Sequence, residues 1–138
     1  MSTFDLDIVP AMSRSNLSRL ADALRELKAV ARAGGEGEGV KLDFTGKSLN
    51  KWLVEFRFLN LRTSFGDLDL LYRPAGTRGY SDLAAGAQEE QIGEIGVRVA
   101  SLEDIIRSKQ AAARDRDLEQ LPTLRRLLER EQSPKAPD

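Results

Sequence analysis

The chain has neither cysteine nor histidine among its 138 residues. Lacking cysteine, it can form no disulfide, no thiolate zinc site and no thiol nucleophile. Lacking histidine, it also has no Ser-His-Asp or Cys-His machinery. Any metal held by its side chains is therefore a hard cation on carboxylate oxygens: magnesium, manganese or calcium. Long apolar runs are missing too, since no stretch approaches the roughly 18 residues that a membrane-spanning helix needs. The first ten residues, MSTFDLDIVP, place two acids where a secretory signal would carry basic residues and an apolar run. No membrane partner and a cytoplasmic location are the expectations. Nor is there an excess of one charge: the net charge is −1, so no global field draws the chain to nucleic acid or anionic lipid.

What is present is an ordinary globular balance, with 41% hydrophobic and 31% charged residues. A chain of this length can bury one core unaided. The expected organisation is one domain over residues 1–131, followed by a disordered tail at 132–138.

Residues 3–9 alternate apolar and acidic side chains, the period of a half-buried strand, and Pro10 ends it. Leu17, Leu20, Leu24 and Leu27 fall three or four apart and predict an amphipathic helix over 13–30, with Ser13 or Ser15 as N-cap. Residues 34–39, GGEGEG, form a loop. A short helix or turn over 47–54 precedes two strands, 56–63 and 67–72, joined by a tight turn at Ser64-Phe65-Gly66-Asp67. Pro74, Gly76 and Gly79 mark a loop, and 80–87 reads as a short helix capped by Ser81. A strand over 91–99 follows. Ser101-Leu102-Glu103-Asp104 is a capping box that opens a helix to about Ala113. A last helix over 115–130 is bent or restarted at Pro122. The expected fold class is α+β: a mixed or antiparallel sheet of about four strands with helices mainly on one face. Leu17, Leu20, Leu24, Leu27, Leu70, Val97, Ile105, Ile106 and Leu121 are the expected buried positions.

Two segments carry chemistry. Asp5-Leu6-Asp7 and Asp67-Leu68-Asp69 each place aspartates two apart, and on a strand such residues share a face. If the strands are neighbours, Asp5, Asp7 and Asp69 converge. Clustered carboxylates repel unless a divalent cation or a protonation shift relieves them. A metal site for phosphoryl transfer needs that arrangement, because the carboxylates hold metals that stabilise the attacking and leaving oxygens. A solvated strand face shows the same alternation, so periodicity leaves both readings open.

The combination of FDLDIVP, NLSRLADALREL, GDLDLLYRPAGTRGYSDL and VRVASLEDIIRSKQAAARDRDLEQLP resembles bacterial nucleotidyltransferase-fold proteins, the relatives of AbiEii-type toxins and minimal nucleotidyltransferases. The resemblance runs from about Thr3 to Leu128. It implies that Asp5, Asp7 and Asp69 are the catalytic, metal-binding carboxylates for Mg2+ or Mn2+. It also implies that Lys109 reaches nucleotide phosphates, with Arg114 or Arg116 nearby. Without it, Lys109 is an ordinary solvated helix lysine. The loop from Arg73 to Gly79 could meet phosphate or be plain surface.

One departure stands out. In the family a strand, a Gly-Gly or Gly-Ser turn and a helix precede the first aspartate pair, and that turn holds the triphosphate through backbone N–H groups. Here the pair sits at residues 5 and 7. Either the start is truncated or misassigned, or the chain is a degenerate relative, or another chain supplies the piece. The expected function is transfer of a nucleoside monophosphate from an NTP to a protein or RNA acceptor, weak or absent in the isolated chain. The alternative is a non-catalytic toxin–antitoxin or phage-defence component acting by protein contacts. An uncovered edge at the first strand leads us to expect a homodimer or a partner chain.

Overall fold

The computed structural model describes residues 5–32 and 39–133. Thr3 and Phe4 of the expected first strand, most of the GGEGEG loop and residues 134–138 of the expected tail lie outside them. The chain divides into two compact units, Met1–Arg73 and Pro74–Asp138.

The described residues of the first unit form a four-stranded mixed sheet covered by two helices. Its elements are β1 (Asp5–Ile8), α1 (Arg14–Glu26), β2 (Val30–Ala31), α2 (Gly46–Phe56), β3 (Phe58–Thr63) and β4 (Gly66–Leu71), with strand order β1-β4-β3-β2. The β1–β4 pair is parallel; the β4–β3 and β3–β2 pairs are antiparallel. Leu61, Leu68 and Leu70 project from one face of the sheet. They are buried against Leu17, Ala21 and Leu24 of α1 and Leu49 and Leu53 of α2. Each such leucine contributes about 1.5–3 kcal/mol through its removal from water. The leucine alternation on β4 is thus the sheet's inward face, and its aspartates are left on the outward one.

The expected helix over 13–30 ends early, at Glu26. Ser13 caps it, accepting from the Asn16 backbone N–H at 3.3 Å. At the far end Lys28 turns to φ 53°, the Lys28 N–H returns to the Arg25 carbonyl, and the Ala29 N–H returns to Leu24. This is a Schellman closure, and it releases Val30 and Ala31 into the sheet. The leucine stripe continues through this closure, which explains why periodicity overran it. Past residue 38 the chain returns, and Val40 bridges Ala31. Only glycine fits at residue 39, where a Cβ would meet Val30 Cγ2 at 2.3 Å.

Thr45 and Ser48 cap α2 reciprocally, each backbone N–H donating to the other's hydroxyl at 2.9 Å. This helix takes Phe56, which the sequence placed in a strand. It ends where Arg57 adopts φ 74°. The hairpin between β3 and β4 has a two-residue loop, Ser64-Phe65, with Thr63 opposite Gly66. Gly66 has φ 130°, a conformation that side chains resist.

The second unit contains α3 (Tyr80–Gly86), β5 (Gln88–Ile92), β6 (Ile95–Val99), α4 (Leu102–Ala112) and α5 (Asp115–Gln132). The single strand expected over 91–99 is instead the β5–β6 hairpin. Gly93, at φ 63°, turns the chain between Ile92 and Ile95, which pair across it. The hairpin stands proud, so Val97, expected in the core, is 36% exposed. The helix α3 starts from Gly79 rather than from a Ser81 cap, and Asp82 in its first turn accepts from the Arg78 backbone N–H at 2.9 Å. Ser101 caps α4 as expected, accepting from the Asp104 N–H at 3.1 Å. The break between the last two helices falls at Ala113, with φ 52°, and α5 runs unbroken through Pro122. Ile106 and Leu121 are buried, and Ile105 is half-buried.

The architecture is α+β; the described residues form five helices, a mixed four-stranded sheet containing one parallel pair, and a small two-stranded sheet. No described helix is long and apolar enough to cross a membrane.

Candidate carboxylate site

The register of the first unit fixes what its outward face presents. Asp5 pairs with Asp67 and Asp7 with Asp69 across the parallel β1–β4 ladder. On the other side of β4, Asn60 pairs with Asp69 and Arg62 with Asp67. Val30 pairs with Arg62, and the Arg32 N–H donates to the Asn60 carbonyl at 2.9 Å, extending the β2 ladder by one residue. Paired residues point to the same face of a sheet. Two rows therefore cross the outward face: Asp7, Asp69, Asn60, Arg32, and beside it Asp5, Asp67, Arg62, Val30. The acids lie at the β1 end and the cations at the β2 end.

The two ends meet on β4. The Arg32 guanidinium reaches over Asn60 and bridges both aspartates, with Nη2 2.5 Å from Asp69 Oδ1 and Nη1 3.3 Å from Asp67 Oδ2. Arg62 Nε lies 3.8 Å from Asp67 Oδ1. All three side chains of the Arg32 bridge are largely enclosed, so solvent screens it less than an ordinary surface pair. The Arg32 Nε is sealed from solvent and has no hydrogen-bond partner.

The three carboxylates singled out from the sequence thus share one face, Asp5 and Asp7 on an exposed edge strand and Asp69 beside them. Among the described residues no three carboxylates form a group able to hold a metal ion by themselves. The donor set nonetheless has the chemistry of a hard-cation site: aspartate oxygens and one amide oxygen, with no sulfur or imidazole nearby. Both oxygens of Asp67 and Oδ1 of Asp69 face arginine, and Asp7 is itself partnered.

Lys109, Arg114 and Arg116 belong to the second unit, where the first two meet on one acid. Asp117 is fully buried in the third position of α5. Its carboxylate accepts from Arg114 Nε at 2.7 Å and from the Arg114 backbone N–H at 3.2 Å, and lies 3.4 Å from Lys109 Nζ. The Arg114 hydrogen bond, first among several, holds the Asp117 carboxyl down at about 2, against the opposing effect of burial. Lys109 comes from the last turn of α4, so this acid clasps the two helices together. Arg116 is exposed. Nearby, Asp82 pairs with Arg107 at 2.9 Å, and its carboxyl is held below the usual range mainly by the Arg78 backbone hydrogen bond.

Sequence reasoning missed Arg32, Asn60 and Arg62. The last two were detectable: Asn60-Leu61-Arg62 has the same two-residue period as Asp67-Leu68-Asp69, and the short hairpin loop sets one opposite the other. No protein-family model matches the chain, and no curated protein matches it in sequence.

Proposed function

We propose that the outward face of the first unit is a divalent-metal site of nucleotidyltransferase type, serving transfer of a nucleoside monophosphate from an NTP to a protein or RNA acceptor. The observation that carries this reading is the in-register parallel pairing of β1 with β4, which sets Asp7 beside Asp69 and Asp5 beside Asp67. Like charges directly opposite each other, Asp5 against Asp67 and Asp7 against Asp69, are costly on a sheet, and a bound divalent cation would relieve that cost beyond what the arginines supply. Asp5, Asp7 and Asp69 would hold Mg2+ or Mn2+, which when bound supplies charge stabilisation for attacking and leaving phosphate oxygens. The nucleotide-binding role that the family resemblance implies for Lys109, Arg114 and Arg116 is part of the proposal. It is tested apart, by NTP binding to Arg116→Ala, since Arg116 is solvent-exposed.

The deciding experiment is Mn2+ titration of the whole chain by calorimetry, with and without NTP, alongside Asp7→Asn and Asp69→Asn. Saturable binding that both substitutions weaken by tenfold or more supports the site. Absence of binding at millimolar Mn2+ overturns it.

A second reading, a protein-contact component of a toxin–antitoxin or phage-defence pair, is favoured by a different observation. Leu6 on the edge strand is 59% exposed and Phe65 at the hairpin tip 80% exposed. Light scattering at tens of micromolar distinguishes the two. A self-associated chain that loses its association on Leu6→Glu, together with failed Mn2+ binding, selects the second.

A further inference from the structure

We infer that Arg32 is a built-in counter-cation that occupies the carboxylates of Asp67 and Asp69 and must yield them before a divalent ion binds. This rests on the metal reading above and adds a gating residue to it.

The geometry is that of a competitor. Arg32 follows directly on β2, and its backbone is tied to β3 through the Asn60 carbonyl at 2.9 Å. From there its side chain spans one full strand to reach β4. It does not settle on a single acid but straddles two, at positions i and i+2, with a different Nη on each. A guanidinium so placed uses the oxygen lone pairs that a cation would need. It also adds a positive charge where a second positive charge would arrive. Both effects lower the affinity of the face for metal.

Two further features fit a displaceable ligand. The Nε donor is enclosed yet unpaired, so the bridging position leaves part of the guanidinium unsatisfied. And Arg62, 3.8 Å from Asp67, stays as a second cation that keeps Asp67 partnered after Arg32 departs. Arginine also suits the task better than lysine, because its planar fork can engage two carboxylates at once while an ammonium is a point charge. Arg32 acts here as a positioning residue: it touches the proposed ligand Asp69 and its neighbour Asp67, not the substrate.

The test compares Mn2+ affinity, by calorimetry, in the native chain, Arg32→Lys and Arg32→Gln. The expected order is native weakest, the lysine variant intermediate and the glutamine variant about tenfold tighter than native. A merely structural arginine gives the opposite sign, because its loss would loosen the face and weaken binding. In the native chain, Mg2+ titration should also shift the Arg32 Nε–H resonance with the same midpoint as a calorimetric Mg2+ isotherm. That measurement decides the matter even if the glutamine variant does not fold. Binding with unchanged or weakened affinity in Arg32→Gln, or a resonance that stays put while the ion binds, overturns the gate and leaves the metal site standing. No binding in any of the three chains overturns the metal site and the gate together.

Discussion

Asp7 and Asp69 are register partners on a parallel strand pair, and the Asp69 carboxylate lies on the guanidinium of Arg32, which comes from the opposite edge of the sheet. The face is therefore graded across four strands, from acids on the β1 edge to cations near β2. A charge gradient of this kind makes each substitution's effect depend on its place in the row.

At the acidic edge, Asp5 is exposed and stands opposite Asp67. Asp5→Asn should stabilise the chain by about 0.2–0.5 kcal/mol at low ionic strength, through relief of like-charge repulsion. The gain should vanish in high salt. Urea denaturation at two salt concentrations reads it, and a salt-independent loss of stability would contradict it.

Core leucines should behave differently from the edge. Leu61 is wholly buried between the helices and the sheet, so Leu61→Ala should cost about 2–5 kcal/mol. Leu6→Ala, on a half-exposed side chain, should cost less than about 1 kcal/mol. Comparable losses at the two positions, measured by the same unfolding assay, would mean that Leu6 on the edge strand is as well covered as Leu61 at the sheet's centre.

The turn between α4 and α5 holds Ala113 at φ 52°, a conformation natural to glycine. Ala113→Gly should raise stability by about 0.5–1 kcal/mol, seen as a higher melting temperature.

Acid titration isolates the Asp117 clasp. Its folded carboxyl titrates at about 2, below the ordinary 3.8, so its stabilising contribution is complete above the unfolded value and is lost as pH falls through the folded one. Native chain and Asp117→Asn should therefore differ most near neutral pH. The gap should close between about pH 4 and about pH 2. A gap that persists unchanged at pH 2 would mean that the Arg114 and Lys109 contacts do not depend on the charge.

Much of this was legible in the sequence, for identifiable reasons. Asp-Leu-Asp alternation marks β1 and β4 because a sheet covered on one side imposes a two-residue period. The β3–β4 hairpin announced itself through its glycine turn. The parallel pairing and its register were not readable, since nothing in residues 5–8 specifies which residues of a distant strand they will oppose. Arg32 stayed hidden because the leucine stripe of α1 carries on past its Schellman closure and masked β2. Val97 was misplaced because Gly93 looked like a strand residue rather than the corner of a hairpin. The Asp117 clasp was not legible, because Lys109 and the acid it meets lie on different helices and no period along the chain pairs them.

The parallel β1–β4 pair has a kinetic consequence. The strands β3 and β4 are joined by two residues and can pair early, within microseconds, as hairpins do. The edge strand β1 reaches β4 only across the whole intervening chain, a closure of high contact order. The Arg32 bridge needs only β2, β3 and β4, whereas the acidic row needs β1 as well. Hydrogen exchange should thus find β1 amides opening at lower free energy than those of β3 and β4. The aspartate face would then be the last part of this unit to form and the first to dissolve.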